Sequence, residues 1–274
     1  MDNGTLYLVS TPIGNLGDIT YRAVETLKSV DMIAAEDTRH TLKLLNNLDI
    51  KAKLVSFHEY SSEEKARRLI EDLHAGKNIA LVTDAGTPII SDPGAPLVKL
   101  AAEAGIEVTA VPGACAAITA LTLSGMNAER FLFEGFLPRD NTRAERLKRL
   151  AEHDCTFILY ESPHRLKRTL QELEEVLGDR GIALCKELTK IHETIDRTTL
   201  REAIARYDGE IKGEFVLVLE GKPREKKELT DEDILRVLQM HLDAGESRKS
   251  AVKATADDLG VNKNRVYQLM LEQN

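Results

Sequence analysis

Residues 78–94, NIALVTDAGTPIISDPG, restrict the architecture of this chain more than any other stretch. Ile79, Ala80, Leu81 and Val82 form an unbroken apolar run that predicts a buried strand. The run breaks into a loop holding Asp84, Gly86, Thr87, Pro88, Ser91, Asp92, Pro93 and Gly94. A parallel strand with such a turn at its carboxyl end is where open α/β sheets bind ligands. Glycine lets backbone approach a ligand closely, and the prolines fix φ and stiffen the loop. Asp84 and Asp92 are not spaced as metal ligands and have no His or Cys nearby, so ordinary turn chemistry is an alternative role for them.

Three further segments repeat or complete the pattern. In residues 5–20 the apolar run Leu6, Tyr7, Leu8, Val9 leads into Pro12, Gly14, Gly17 and Asp18, and a helix is expected from about residue 20 to 29. This is no dinucleotide fingerprint, because Pro12 stands at the first glycine position, and no P-loop, because Gly-Lys-Ser/Thr is missing. The ligand is therefore not expected to be a pyrophosphate. Residues 106–125 give a strand, then Pro112 and Gly113, then a helix of small residues including Ala114, Cys115, Ala116, Ala117 and Ala120. Such a bare helix start offers N–H groups to a ligand, and small residues also permit close helix–sheet packing; the two roles are compatible. Residues 212–221 form a strongly apolar core strand entered through Gly213 and Glu214.

Strand and helix patterns alternate along the chain, which predicts an α/β fold. Strands are expected near 6–10, 31–35, 53–57, 79–83 and 107–111, with helices such as 62–75 between them, where Ala66, Leu69, Ile70 and Leu73 recur at helical spacing. A second set of strands is expected near 130–136, 156–161, 182–188 and 213–220, with helices over 142–152, 162–177 and 199–206. The expected domains are 1–117, 118–222 and 228–274. Pro223 and the basic run after it mark a linker. The last segment predicts three helices, with Thr230 and Asp233 as a helix start and Asn262 as an N-cap after Gly260. Its sequence AVKATADDLGVNKNRVYQLM resembles a helix-turn-helix presenting Lys263, Asn264, Arg265 and Gln268.

At 274 residues the chain is long enough for two compact domains with their own cores. Its 42% hydrophobic and 30% charged residues describe a soluble globular protein. Apolar runs are too short for a signal peptide or membrane span, and Cys115, Cys155 and Cys185 read as thiols in a reducing cytosol, so a cytoplasmic, membrane-free protein is expected. The net charge of −8 excludes attraction of nucleic acid by the average field and leaves only local patches. Cations concentrate at Arg139, Arg143, Arg146, Lys148 and Arg149, at Arg165, Lys167 and Arg168, and at Lys222, Arg224, Lys226 and Lys227. Such clusters are more often a solvated helix face or linker than a nucleic-acid site.

Seven motifs occur in register: PIGNLGDIT at 12–20, AAEDTR at 34–39, DAGTPIISDPG at 84–94, PGACAA at 112–117, EGFLP at 134–138, YESPHR at 160–165 and ELTK at 187–190. With them the chain resembles the ribosomal RNA small subunit methyltransferase I family, a branch of the tetrapyrrole methylase superfamily. The superfamily's usual first loop is G-x-G-x-G-D, and PIGNLGD departs from it in the manner of the ribosomal branch. The resemblance implies a parallel-sheet domain and a mixed-sheet domain with S-adenosylmethionine between them, plus the small C-terminal helical domain. By the same resemblance the cofactor contacts are expected at Pro12, Gly14, Asp84, Gly86, Thr87, Ile90, Asp92, Cys115, Ala116, Tyr160, Leu188 and Glu214. It further implies methylation of a cytidine ribose 2′-hydroxyl in the decoding region of 16S rRNA. The partners implied are the small ribosomal subunit and a second copy of the chain. RNA contacts are expected at Arg139, Arg143, Arg146, Lys263 and Arg265, and no metal is expected.

A sulfonium methyl is already activated, so the protein has mainly to align the acceptor and help remove its proton. Glu36, Asp37, His58 and Glu187 are candidates for the base. Asp37 beside Arg39 fits a structural ion pair equally, His58 fits a loop histidine, and loss of the proton late in transfer needs no dedicated base. The competing functions are C-methylation of a tetrapyrrole, which requires neither the altered first loop nor the tail, and a DNA-binding regulator led by the tail.

Overall fold

The computed structural model describes residues 3–58, 61, 63–223 and 229–272. The chain divides into two compact units at Pro223. The basic residues Arg224, Lys226 and Lys227 lie outside the described residues.

The first unit opens with β1 (Thr5–Val9), α1 (Tyr21–Ser29), β2 (Met32–Ala35), α2 (Thr38–Asn47), β3 (Leu54–Ser56), α3 (Glu63–His74), β4 (Ile79–Val82), α4 (Ala95–Glu103) and β5 (Glu107–Val111). The strands form a parallel sheet in the order β3-β2-β4-β1-β5. β2 and β4 are buried along their whole length, as strands covered on both faces must be, which is why they read as unbroken apolar runs. Side chains alternate across the sheet. Leu6, Met32, Ile79 and Leu81 pack against Leu69, Leu73 and Leu97 of α3 and α4. Val9, Ile33, Ala80 and Val82 pack against Ala23, Leu27 and Leu45 of α1 and α2. Adjacent β1 and β4 therefore send their following helices to opposite faces, and the crevice between their carboxyl ends is a topological switch point.

The chain continues through α5 (Ala116–Ser124), β6 (Phe131–Phe136), α6 (Arg143–Glu152), β7 (Thr156–Glu161), α7 (Pro163–Leu177), β8 (Gly181–Lys186), β9 (Thr194–Thr199), α8 (Leu200–Arg206) and β10 (Phe215–Leu219). This second sheet is mixed, in the order β6-β7-β10-β8-β9, with only β6 and β7 parallel. One face carries Phe157, Leu159, Leu184 and Leu217 beneath α6, α7 and α8. The other carries Ile158, Ala183, Cys185, Val216 and Val218 beneath Ala117, Ala120 and Leu121 of α5. The small residues of α5 thus allow a helix that leaves the first sheet to lie close on the second. The strand β9 was not expected. Its sequence TIDRTT has no apolar run because it pairs on one side only, at the sheet edge.

The second unit is α9 (Asp231–Asp243), α10 (Arg248–Leu259) and α11 (Lys263–Glu272) around Ile234, Leu238, Ala251, Val252, Val266 and Met270. Thr230 and Asp233 form a reciprocal capping box, and Asn262 accepts from the Asn264 N–H at 2.8 Å, as a cap does. Gly260 takes the left-handed conformation (φ 62°) that the turn between α10 and α11 requires.

Candidate active site

The loops after β1, β4 and β5 emerge together at the switch point and are laced to one another. Thr11 and Gly86 exchange backbone hydrogen bonds of 2.9 and 3.1 Å. The Ser10 and Thr87 hydroxyls lie 3.1 Å apart, Thr87 donates to the Ala114 carbonyl at 3.1 Å, and Thr11 donates to that of Thr83 at 3.3 Å. Gly86 (φ 86°) needs the freedom of glycine here: a side chain would strain the backbone and reach within 3.3 Å of Ile13.

Above the laced loops lies a cavity of about 530 Å³, within the range of about 300–1,000 Å³ typical of small-molecule sites. Of the residues expected at a cofactor, Asp84, Gly86, Thr87, Ile90, Asp92, Cys115, Ala116, Tyr160, Leu188 and Glu214 line it. Pro12 and Gly14 are not among the lining residues. Ile13 between them lines the wall. Gly14 instead packs beneath Lys190, whose Cγ would stand 2.5 Å from any added Cβ. Sequence reasoning missed Ile13, Phe136 and Val216 as lining residues and did not place Glu36 in this wall. The two sheets meet through Tyr160, whose hydroxyl accepts the Ala117 N–H at 3.1 Å at the start of α5. Its ring packs edge-on against Phe133 and Phe136, and burial raises the phenol above its ordinary value.

The electrostatics of the cavity are acidic. Glu36 from the loop after β2 and Asp84 and Asp92 from the loop after β4 line one wall. Thr83 Oγ1 donates to Glu36 Oε2 at 3.0 Å, and the Asp37 N–H donates to Asp84 Oδ1 at 3.0 Å. Burial pushes Asp92 up to about 6, and the charges of Glu36 and Asp84 add to the effect. Among the described residues none of the three has an ion-pair partner, and no His, Cys, Asp and Glu side chains converge as a metal-ligand set.

The base candidates separate. Asp37 caps α2 and is paired with Arg39 at 2.8 Å, which holds its carboxyl well below the usual range; it lines neither cavity and takes the structural role. Glu187 accepts from the Glu214 N–H at 2.9 Å and from Lys190 Nζ at 3.0 Å, which lowers its carboxyl, and it too lies outside the cavity wall. His58 lines a second cavity, of about 500 Å³, beside the first.

The arginine cluster also divides. Arg143 is buried, with its guanidinium bonded to Glu172 at 2.6 Å, to Thr169 at 2.7 Å and to the Pro138 carbonyl at 3.2 Å. Three of its five N–H donors are thus engaged inside the fold, a structural role that leaves little of the guanidinium to present to RNA. Arg146 pairs with Glu134, and Arg139 is exposed. In the second unit Lys263 is exposed, whereas Arg265 is bonded to Asp231 at 2.7 Å and to the Leu229 carbonyl at 3.2 Å, tying α11 to the start of α9.

This fold and cleft are those of a known class. Residues 5–204 match the family model described as Tetrapyrrole (Corrin/Porphyrin) Methylases. The uroporphyrin-III-C-methyltransferase of Thermus thermophilus shares the fold at 21% identity and a TM-score of 0.54, covering 80% of this chain and 94% of its own. Within the class, the chain is 50% identical over 275 residues to a protein named Ribosomal RNA small subunit methyltransferase I from Halalkalibacterium halodurans, covering 98% of this chain and 95% of the relative. A protein of the same name from Escherichia coli O157:H7 is 46% identical, with coverage of 98% and 96%. The chain belongs to the ribosomal RNA small subunit methyltransferase I family of tetrapyrrole methylases.

Proposed function

We propose that the protein transfers a methyl group from S-adenosylmethionine to small-subunit ribosomal RNA, at the ribose 2′-hydroxyl of a cytidine in the decoding region. One observation carries the donor assignment: a cavity at the switch point has three carboxylates that no cation among the described residues pairs with. A ligand with a sulfonium and an ammonium group is the complement of that wall. The start of α5, where Cys115 makes no side-chain cap and Ala116 adds little bulk, leaves backbone N–H groups toward a ligand carboxylate. When bound, S-adenosylmethionine supplies a methyl group that needs no further activation. The protein's part is to hold the pocket: Thr87 fixes two loops, Tyr160 joins the sheets, and Leu188 and Val216 add apolar walls that exclude water. Positioning of this kind is worth up to about 7–11 kcal/mol of a barrier.

The RNA assignment rests on the names of relatives that match nearly the full length, including the second unit. There Lys263, Asn264 and Gln268 lie exposed on α11, in the arrangement of a helix that reads nucleic acid. Labelled S-adenosylmethionine offered with small ribosomal subunits, naked 16S rRNA and a tetrapyrrole tests the proposal. Label is expected in the subunit RNA, at a cytidine 2′-O-methyl; label in the tetrapyrrole alone overturns it.

A further inference from the structure

The donor cavity shares a wall with the second cavity. Glu36, Ser91 and Asp92 line both, while Phe57, His58 and Pro96 line only the second. Transfer between two substrates needs this layout, because donor and acceptor must meet through a common boundary rather than compete for one space. We infer that the second cavity seats the nucleotide that receives the methyl group, and that Asp92 takes the proton of its 2′-hydroxyl. The inference rests on the function proposed above.

The chemistry of the wall selects how the acceptor enters. Carboxylates repel a phosphodiester but accept from hydroxyl and amino donors, so the nucleotide must point its sugar edge inward and its phosphates out to solvent. A nucleotide stacked in a duplex cannot do so; an unstacked one can. Within the wall, Glu36 already accepts the Thr83 hydroxyl at 3.0 Å and is held on β2's loop. Asp84 accepts a backbone N–H and lines only the donor side. Asp92 alone combines access to both cavities with a carboxyl pushed up to about 6, close to the pH at which a base is most useful. The groups that face it are Glu36 after β2, His58 after β3, Glu63 of α3, Asp84 on its own loop and Tyr160 of β7. In the step itself the hydroxyl oxygen forms the new O–CH3 bond as its proton passes to the Asp92 carboxylate. The C–S bond breaks, the sulfur keeps the electron pair and leaves as a neutral thioether, and the proton later passes to water.

Three variants of the full chain, compared with the unaltered protein, test the inference. Rates with saturating labelled donor and small subunits are followed from about pH 5 to 8. The unaltered protein should lose about tenfold per unit below pH 6 and level off above it. Asp92→Asn should lower the rate at least about 100-fold and abolish the inflection, while subunit binding by filter retention without donor stays unchanged. His58→Asn should keep the inflection. Ala95→Trp fills only the second cavity, so it should weaken donor-free subunit binding about tenfold or more while calorimetric affinity for S-adenosylmethionine is retained. Asp92→Asn with an unaltered rate, an inflection that vanishes with His58, or full subunit binding by Ala95→Trp each overturn the inference. If the unaltered protein never labels subunits, the proposed function falls and this inference with it; a labelling rate that Asp92→Asn leaves unaltered refutes this inference alone.

Discussion

Asp92→Asn should make the protein more stable at neutral pH, although it removes a group proposed to be essential. Burial, Glu36 and Asp84 raise the Asp92 carboxyl from the ordinary 3.8 to about 6, so its charged form is disfavoured in the folded chain. A folded-state value above the unfolded one means the stabilising contribution is complete below about pH 4. It is lost as the pH rises through about 6. Two pKa units correspond to roughly 3 kcal/mol. The carboxyl is only part-buried, and solvent screening reduces this to about 1–2 kcal/mol. Asparagine keeps the shape and a polar group beside Thr83 but cannot ionise. Urea unfolding at pH 8 should therefore show a gain of about 1–2 kcal/mol for the variant, and a thermal shift of about 2–6 °C. At pH 4 the two proteins should unfold alike. A variant no more stable at pH 8 than at pH 4, relative to the parent, would refute the claim that these acids oppose one another across the wall.

Ala116→Trp should abolish S-adenosylmethionine binding in calorimetry while circular dichroism shows the fold intact, because the indole would occupy the cavity at the start of α5. Arg143→Ala should cost about 1–3 kcal/mol in denaturant unfolding by leaving Thr169 and the Pro138 carbonyl without their buried donor, while Glu172 keeps Arg168, and RNA affinity per folded molecule should not change. Ending the chain at Lys222 should leave donor binding nearly unchanged but weaken binding to small subunits and flatten its salt dependence, since fewer phosphates are neutralised. Light scattering on the same sample separates this docking role from dimer packing, which instead predicts a change from dimer to monomer.

The parts of this fold that were legible in the sequence are those that one local pattern determines. β2 and β4 are uniform apolar runs because both faces are covered, and α3 shows its buried Ala66, Leu69 and Leu73 at helical spacing. Strand β9 was not legible because an edge strand pairs on one side and packs little, so polar and charged residues are tolerated in it. Arg143 and Arg265 look like their exposed neighbours in sequence, and only tertiary partners on α7 and α9 distinguish them. The acidic wall was hidden for a similar reason. Glu36 and Asp84 are dozens of residues apart, and only the pairing of β2 with β4 brings the loops that carry them side by side.

The places where local rules fail coincide with the cavities, and this concentration is itself an argument for function. Among the described residues, five other than glycine have positive φ, and four of them, Ile89, Ser91, Glu187 and Thr189, lie on the loop after β4 and the loop after β8. A branched residue such as Ile89 at φ 78° costs on the order of 1–3 kcal/mol and persists only where its surroundings hold it there. Ile89 and Ser91 line the second cavity, and Glu187 and Thr189 flank Leu188, which lines the first. Strained backbone and three unpaired carboxylates therefore converge on two adjoining spaces in a chain that is otherwise conventionally packed. Neither feature stabilises the fold. Each fixes the shape and charge of a surface that the protein alone does not require, which is the expected signature of a site built for two ligands that must meet.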